Sequence, residues 1–241
     1  MKFGLFGDIH ANLEALEVVL GELAKEEVGM YICLGDVVGY GANPGECLDR
    51  TRELAAITVA GNHDFAIAGK LNIDFFNSYA KQAVLWTREQ LRKDQIQWLR
   101  DLELVKKHED VLTVVHGTLN FPEMFDYIQT SYDAHLSLEL LETPVCFLGH
   151  SHVPVAFFQG PTVSFTMDYD IDIDLNSKTL VNIGSVGQPR DENPKAAYAV
   201  YDTDTQKVHI RRVDYDIDKA AKKIIDAGLP EILGERLKYG R

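Results

Sequence analysis

The 241-residue chain has only three cysteines, Cys33, Cys47 and Cys146, and no two share a CxxC spacing. So sparse and odd a set excludes a disulfide framework and a thiolate zinc cluster. Cys33 and Cys146 lie inside the apolar runs MYICLGD and TPVCFLGH and read as buried free thiols, which fits a reducing cytoplasm. Nowhere do about 20 apolar residues run together, so no membrane span is expected. The first apolar run is broken at once by Asp8 and His10, unlike a secretory leader. Positive charge is also short: 24 Lys and Arg against 37 Asp and Glu give a net charge of -13. A basic stripe for a nucleic-acid backbone is therefore not expected. Acidity does not exclude anionic substrates, because bound divalent cations reverse the local field of a site.

What is present is an ordinary globular balance, 46% hydrophobic and 25% charged. No internal repeat, low-complexity tract or linker divides the chain. One domain over residues 1–241 is expected, with a helical, cap-like insertion at about 65–105. KFGLFGD reads as a strand, followed by a helical pattern from Ala11 to Glu27 with Leu13, Leu16, Val19, Leu20 and Leu23 at helical spacing. MYICLGD is the next strand, a short helix lies near Glu46 to Leu54, and AITVAGNHD is a third strand. This β-α-β-α-β order predicts parallel strands with crossover helices. Beyond the insertion, VLTVVHG resumes the strands, a helix lies near Ala134 to Leu141, and VCFLGHSHVPVAFF reads as a strand pair. Further strands reach about Asp216, and a last helix, Lys219 to Ala227, stops at Gly228 with Pro230 beyond.

Chemistry-bearing residues gather where these strands end. FGDIH supplies Asp8 and His10, LGDVVG supplies Asp36, and AGNHD supplies Asn62, His63 and Asp64. VVHG supplies His116, and LGHSH supplies His150 and His152. Functional groups of open α/β sheets collect outside the carboxyl ends of strands, so residues scattered in sequence should meet in space. Singly, Asp8 reads as an N-cap, Asp36 and Asn62 as turn formers, and His116 as a core histidine. Together they repeat one pattern: apolar strand, small residue, metal-type ligand. Carboxylate, imidazole and amide oxygen without thiolate suit divalent Mn, Fe, Zn, Ni or Co rather than a closed structural zinc site. The set is too large for one ion and sufficient for two.

The ordered motifs D-x-H, G-D-x-x-G, G-N-H-D, H-G and G-H-S-H resemble the calcineurin-like metallophosphoesterases, from Asp8 to about Arg190. GSVGQPRD, Gly184 to Asp191, is similar to the small bacterial and archaeal phosphodiesterases of that superfamily. The resemblance implies a four-layer α/β/β/α sandwich of two facing mixed sheets. It also implies two divalent metal ions, manganese favoured. One would be held by Asp8, His10 and His152, the other by Asn62, His116 and His150, with Asp36 bridging them. A metal-bridging hydroxide would be the nucleophile, and His63 would assist the leaving group. Two cations about 3.5–4 Å apart clamp both oxygens of an in-line displacement at phosphorus and lower the pKa of their shared water. A bridging ligand needs two anionic oxygens, as Asp36 has, and a histidine not held by metal can carry the proton a departing alkoxide requires.

One part of the pattern is missing. Many phosphatases of this superfamily read G-D-x-x-D-R-G, whereas here Gly39 and Tyr40 occupy the acid and arginine places. Asp64 is a candidate to orient His63 in place of that acid. Arg190 is the candidate phosphate binder, guanidinium being matched to phosphate oxygens; alternatively, it is a surface arginine paired to Asp191 or Glu192. The missing pair argues against a protein phosphatase. The function expected is a cytoplasmic, dinuclear metal-dependent hydrolase of phosphodiester or nucleotide-like substrates. The alternatives are a phosphomonoesterase or dinucleoside-polyphosphate hydrolase with the same site, and a non-catalytic scaffold on the same fold. The expected partner is a small-molecule phosphoester, and the sequence leaves room for a homo-oligomer.

MDYDIDIDL puts Asp168, Asp170, Asp172 and Asp174 on one strand face, but lacks the glycine and glutamate of an EF-hand and reads as a solvated face. Asn120, Phe121, Phe125 and Tyr127, following His116, fit either an aromatic substrate rim or ordinary packing. Tyr79, Trp86 and Trp98 read as the apolar face of the inserted helices.

Overall fold

A computed structural model describes residues 1–241. In chain order the elements begin with β1 (Lys2–Phe6), α1 (Leu13–Lys25), β2 (Met30–Cys33), α2 (Pro44–Leu54), β3 (Ala55–Thr58) and α3 (Asn62–Ile67). Next come α4 (Ser78–Gln90), α5 (Lys93–Asp101), β4 (Val105–His108), β5 (Leu112–Val115), α6 (Ser131–Leu140), β6 (Val145–Leu148) and β7 (Val155–Phe158). The chain closes with β8 (Ser164–Thr166), β9 (Asp170–Asp172), β10 (Thr179–Asn182), β11 (Ala196–Asp202), β12 (Lys207–Val213), α7 (Ile217–Asp226) and α8 (Glu231–Glu235).

The strands form two six-stranded mixed sheets, ordered β3-β2-β1-β11-β12-β9 and β4-β5-β6-β10-β7-β8. Strand periodicity explains why they face each other. In β1, Phe3 and Leu5 point into the space between the sheets, while Phe6 points outward beneath helices. In β6, Val145 and Phe147 point inward, while Cys146 and Leu148 point outward under α6. Helices α1, α2, α4 and α7 bury their apolar stripes on the outer face of the first sheet, and α6 covers the second. Four layers result, as the motif order implied. All three thiols are buried and unpaired. No helix is long and apolar enough to cross a membrane.

The parallel strands position the site. β1, β2 and β3 run parallel in the first sheet, as do β5, β6 and β10 in the second. The two triplets end at the same edge of the sandwich: the backbone N–H of His150, beyond β6, donates to the Asp8 carboxylate, beyond β1.

Three local expectations give way to tertiary structure. The two halves of VCFLGHSHVPVAFF do not pair, because β10 lies between β6 and β7 and hydrogen-bonds both. The acidic segment MDYDIDIDL is a strand only over β9, Asp170–Asp172, and β8, just before it, belongs to the opposite sheet. Ile171 and Ile173 are buried there, but Leu175 is exposed. At the C-terminus α7 is followed by α8 and a short 3-10 turn, Arg236–Tyr239. Leu229, Leu233 and Leu237, four residues apart, bring this end of the chain onto the α1 side of the core.

Candidate functional site

Each functional side chain stands on a strand-to-helix or strand-to-loop turn, and most of these turns are strained. Asp8, His10, Asp36, His150 and His152 all have positive φ, between 48° and 67°. Left-handed backbone at a non-glycine residue costs on the order of 1–3 kcal/mol and collects at functional sites. Here it turns successive side chains back toward one point. Gly149 permits the tightest approach: a Cβ there would lie 2.3 Å from Oδ2 of Asp8. Asn12 serves as the α1 N-cap, accepting from Ala15 N at 3.2 Å, and donates to the Gly187 carbonyl at 3.0 Å. It thereby locks the first site loop to the GSVGQPR loop.

Donor atoms converge in two linked groups. Asp8, His10 and His152 form one, and Asp36, His116 and His150 the other, with the donor atoms of each within 4.8 Å of one another. Asp36 connects the groups, since Oδ2 is 3.6 Å from His10 Nε2 and 3.4 Å from His116 Nε2. Asn62 opens α3 and lines the same cavity, with its Oδ1 buried and without a hydrogen-bond partner. His63 Nδ1 is likewise unpartnered, and its ring also lies within 4.8 Å of His10 and Asp36 donors. All seven sequence-designated ligands and His63 therefore share one edge of the sandwich.

The tautomers show what the set can hold. His116 Nδ1–H donates to the Leu34 carbonyl at 2.8 Å, and His152 Nδ1–H to the Gln188 carbonyl at 2.5 Å. Each imidazole thus turns its Nε2 toward the site. For His152 that nitrogen lies 3.2 Å from Asp8 Oδ1 and 3.1 Å from His10 Nε2. Carboxylate and imidazole donors packed this closely suit a cation. His116 Nε2 and His150 Nε2 have no hydrogen-bond partner either, so the residues present fit divalent metal on orphaned donors as well as on donor chemistry.

Titration shifts reflect the same crowding. Burial raises Asp8 and Asp36, but His152 beside Asp8 and His116 beside Asp36 override it and hold both carboxyls below their usual range. Burial lowers His116, yet Asp36 and Asp8 lift it to about 9. Burial takes His150 down to about 3 and His63 to about 4. His63 is thus neutral at pH 7 in the metal-free protein, unlike the protonated group the resemblance implies.

Asp64 does not orient His63. Its Oδ1 accepts from Val37 N and Val38 N at 3.0 and 3.3 Å, and its Oδ2 from Gly61 N at 3.0 Å. Arg190 is not a paired surface arginine, since Asp191 bonds Arg212 and Glu192 bonds Arg241. Instead Arg190 Nη2 donates to Gln188 Oε1 at 2.8 Å, its Nε is unpartnered, and it lines the cavity above the donor cluster.

That cavity measures about 540 Å³. One wall carries Leu71, Phe75 and Phe76, and the other Met124, Phe125 and Tyr127. Tyr127 stacks on His150 with centroids 4.0 Å apart, and Phe75 is 94% exposed at the rim. Trp86 and Trp98 pack on the core as expected, but Tyr79 is half exposed. Sequence reasoning missed the organisers behind the ligands. Asn182 Nδ2 donates to the Gly149 carbonyl at 2.5 Å and to Ser151 Oγ at 3.0 Å. Ser185 Oγ donates to the Asp8 carbonyl at 2.8 Å and accepts from Gln188 N at 2.8 Å. The unusual GSVGQPR string was the available signal.

Comparison with known proteins agrees with this fold. Residues 1–206 match the calcineurin-like phosphoesterase superfamily domain. An uncharacterised protein of Methanocaldococcus jannaschii is 39% identical over 242 residues, covering 98% of this chain and 97% of that one. A crystal structure of a metallophosphoesterase from Sphaerobacter thermophilus superposes with a TM-score of 0.90 at 38% identity, covering 100% of this chain and 99% of the other. A hypothetical protein from Pyrococcus horikoshii OT3 shares the fold at a TM-score of 0.80 and 22% identity, over 100% of this chain and 98% of its own.

Proposed function

This chain belongs to the calcineurin-like phosphoesterase superfamily, and on that premise we propose that it is a dinuclear metal-dependent hydrolase of phosphodiester or nucleotide-like esters. The observation that carries the reading is the convergence of buried donor atoms: the unpartnered His116 Nε2, His150 Nε2 and Asn62 Oδ1 in one group, and His10 and His152 Nε2 beside Asp8 in the other. Asp8, His10 and His152 would hold one divalent ion and Asn62, His116 and His150 the second, with Asp36 shared. Such ions, manganese among the candidates, would supply Lewis acidity at phosphorus and an activated water.

This chain's own residues do the rest. His63, outside both ligand sets in this reading, faces the cavity beside Asp36 and Arg190. A bound phosphoester anion raises its proton affinity, so it is protonated when substrate is present and donates to the departing oxygen. Arg190 binds a non-bridging phosphate oxygen. Segment 65–105 acts as an insertion that supplies the Leu71–Phe76 wall, limiting substrate width and excluding water from the donor cluster.

Chelator-treated protein should be inactive on bis(p-nitrophenyl) phosphate and regain turnover with about two equivalents of Mn per chain. Undiminished turnover of metal-free protein would overturn the reading. His63→Ala should lower kcat by about 10²–10⁴-fold with metal content retained; loss of one metal equivalent would make His63 a ligand, which its distance to His10 and Asp36 also permits.

A further inference from the structure

Each aromatic wall of the cavity rests on a histidine of the site. On the side of the inserted segment, the Phe76 ring packs edge-on against His63, with centroids 5.2 Å apart. On the other side Tyr127 stacks on His150 at 4.0 Å, with 11° between the planes, and Phe125 meets His116 edge-on at 6.1 Å. His63 and His150 each place a ring nitrogen within 4.8 Å of an Asp36 oxygen. The two walls therefore flank the reacting centre itself.

The ends of both walls are bare. Phe75 is 94% exposed, Met124 66% and Tyr127 46%, and all three line the cavity. Phe125, by contrast, is buried against Phe65 at 6.0 Å, so it packs the turn while Met124 and Tyr127 form the rim. The turn that presents Met124 is strained: Phe121 and Phe125, on either side of Pro122–Met124, have φ of 53° and 54°. Left-handed backbone at an aromatic residue is costly and persists mainly at functional sites. Gly117 admits this turn, since a Cβ there would lie 3.0 Å from the Asp126 carbonyl oxygen. Polar groups border the apolar faces. Asn72 and Asn77 commit their Oδ1 atoms to Asp74 N and Ala80 N, both at 2.9 Å, which leaves their Nδ2 groups to donate. Arg190 is the one Lys or Arg side chain in the lining, and Glu123 on the opposite wall is anionic. A cavity so charged suits a ligand with one phosphate group rather than a polyphosphate or a nucleic-acid strand. Its volume of about 540 Å³ fits a small molecule.

We infer that the walls clamp a planar heteroaromatic ring, so that the substrate is a small ester carrying a nucleobase and a single phosphate group. The inference rests on the hydrolytic reading above and narrows it: Phe75 and Met124 select the base, while Arg190 and the donor cluster take the phosphate. An aromatic ring and a thioether both favour the face or edge of a base over water. The edge of the base, with its N–H and carbonyl or ring-nitrogen groups, meets Asn72, Asn77 and Glu123.

Competition between two equally charged ligands tests this: adenosine 5′-monophosphate and ribose 5-phosphate, which share sugar and phosphate and differ in the base. Against turnover of bis(p-nitrophenyl) phosphate by Mn-loaded wild type, the nucleotide should inhibit with a Ki about tenfold lower, the size of one base–aromatic stack. Because Phe75 is almost wholly exposed, its truncation leaves the core intact. Phe75→Ala should cut the preference to about threefold or less by weakening the nucleotide alone. Phe75→Trp should keep it, and circular dichroism should show both variants folded. Equal Ki values in wild type would overturn the clamp while the hydrolytic reading stands, and so would a preference that survives Phe75→Ala unchanged. If wild type hydrolyses no bis(p-nitrophenyl) phosphate with Mn, the hydrolytic reading fails instead. Calorimetry with the same two ligands then decides the clamp: tighter binding of the nucleotide, lost in Phe75→Ala, supports it, and equal binding overturns it.

Discussion

A Cβ atom on Gly39 would lie 2.7 Å from Nδ1 of His63. The catalytic candidate thus rests against bare backbone at the position where the superfamily pattern has an acid, and its Nδ1 has no partner. Packing therefore sets the orientation of this ring: Tyr40 lies against it at 4.4 Å, His10 edge-on at 5.0 Å and Phe76 at 5.2 Å, between centroids.

Gly39→Ala should consequently act on the ring rather than on the donor cluster. The substitution forces a side chain onto a φ of +95° and pushes His63 aside. Turnover on a simple diester should drop by about 10–100-fold, with a Tm loss of a few degrees and unchanged metal content. Metal analysis beside steady-state kinetics reads both; an unaltered kcat would show that the orientation of His63 does not matter.

Asp36 should serve both halves of the centre, since its Oδ2 faces His10 and His116 and its Oδ1 accepts the backbone N–H of His63 at 2.9 Å. Asp36→Asn should reduce bound metal from about two equivalents to one or fewer. Retention of two equivalents at unchanged affinity would contradict a shared role.

The pH response of metal-free protein follows from the histidines. His63 and His150 sit at about 4 and about 3 when folded, below the ordinary value of about 6.5. Between those limits the unfolded chain binds more protons, so stability falls as pH drops below about 6.5. His116 has the opposite sign. Raised to about 9, it stabilises fully below about 6.5, and that contribution is lost as pH rises through 9. Metal-free protein should therefore melt highest near pH 6.5, with Tm declining toward pH 5 on one side and from about pH 7 to pH 9 on the other, and a flat profile would refute these environments. Because bound metal needs His116 neutral, loading at pH 7.5 should release about one proton per chain, seen as an enthalpy that varies with buffer ionisation heat in calorimetry.

Arg190→Ala should raise KM for a simple diester by about tenfold or more, the worth of a charge-assisted hydrogen bond, without changing metal content. Asp191→Asn should leave KM within about twofold, because Asp191 bonds Arg212 rather than Arg190. Similar effects from the two substitutions would place Arg190 outside the substrate contact.

Sequence alone determined what depends on local pattern. Alternating apolar residues in KFGLF and VCFL define two-faced strands, and a small residue next to Asp, Asn or His marks the turns that carry the ligands. Because parallel strands of packed sheets end at common edges, the ordered motifs were enough to anticipate one convergent set. Tertiary structure alone decided which strands pair, since strand partnership is a contact between distant residues: β10 separates β6 from β7, and β8 and β9 part into opposite sheets. It also decided the partners of the charged side chains. Arg190 stands beside Asp191 in sequence, yet folding gives that carboxylate to Arg212 and leaves the guanidinium facing the cavity. Arg236 comes to share a cavity with Tyr40 only because Leu229, Leu233 and Leu237 bury the C-terminal turns on the core. An ion pair or an anion site is fixed by which groups burial leaves unsatisfied, and only the folded chain sets that.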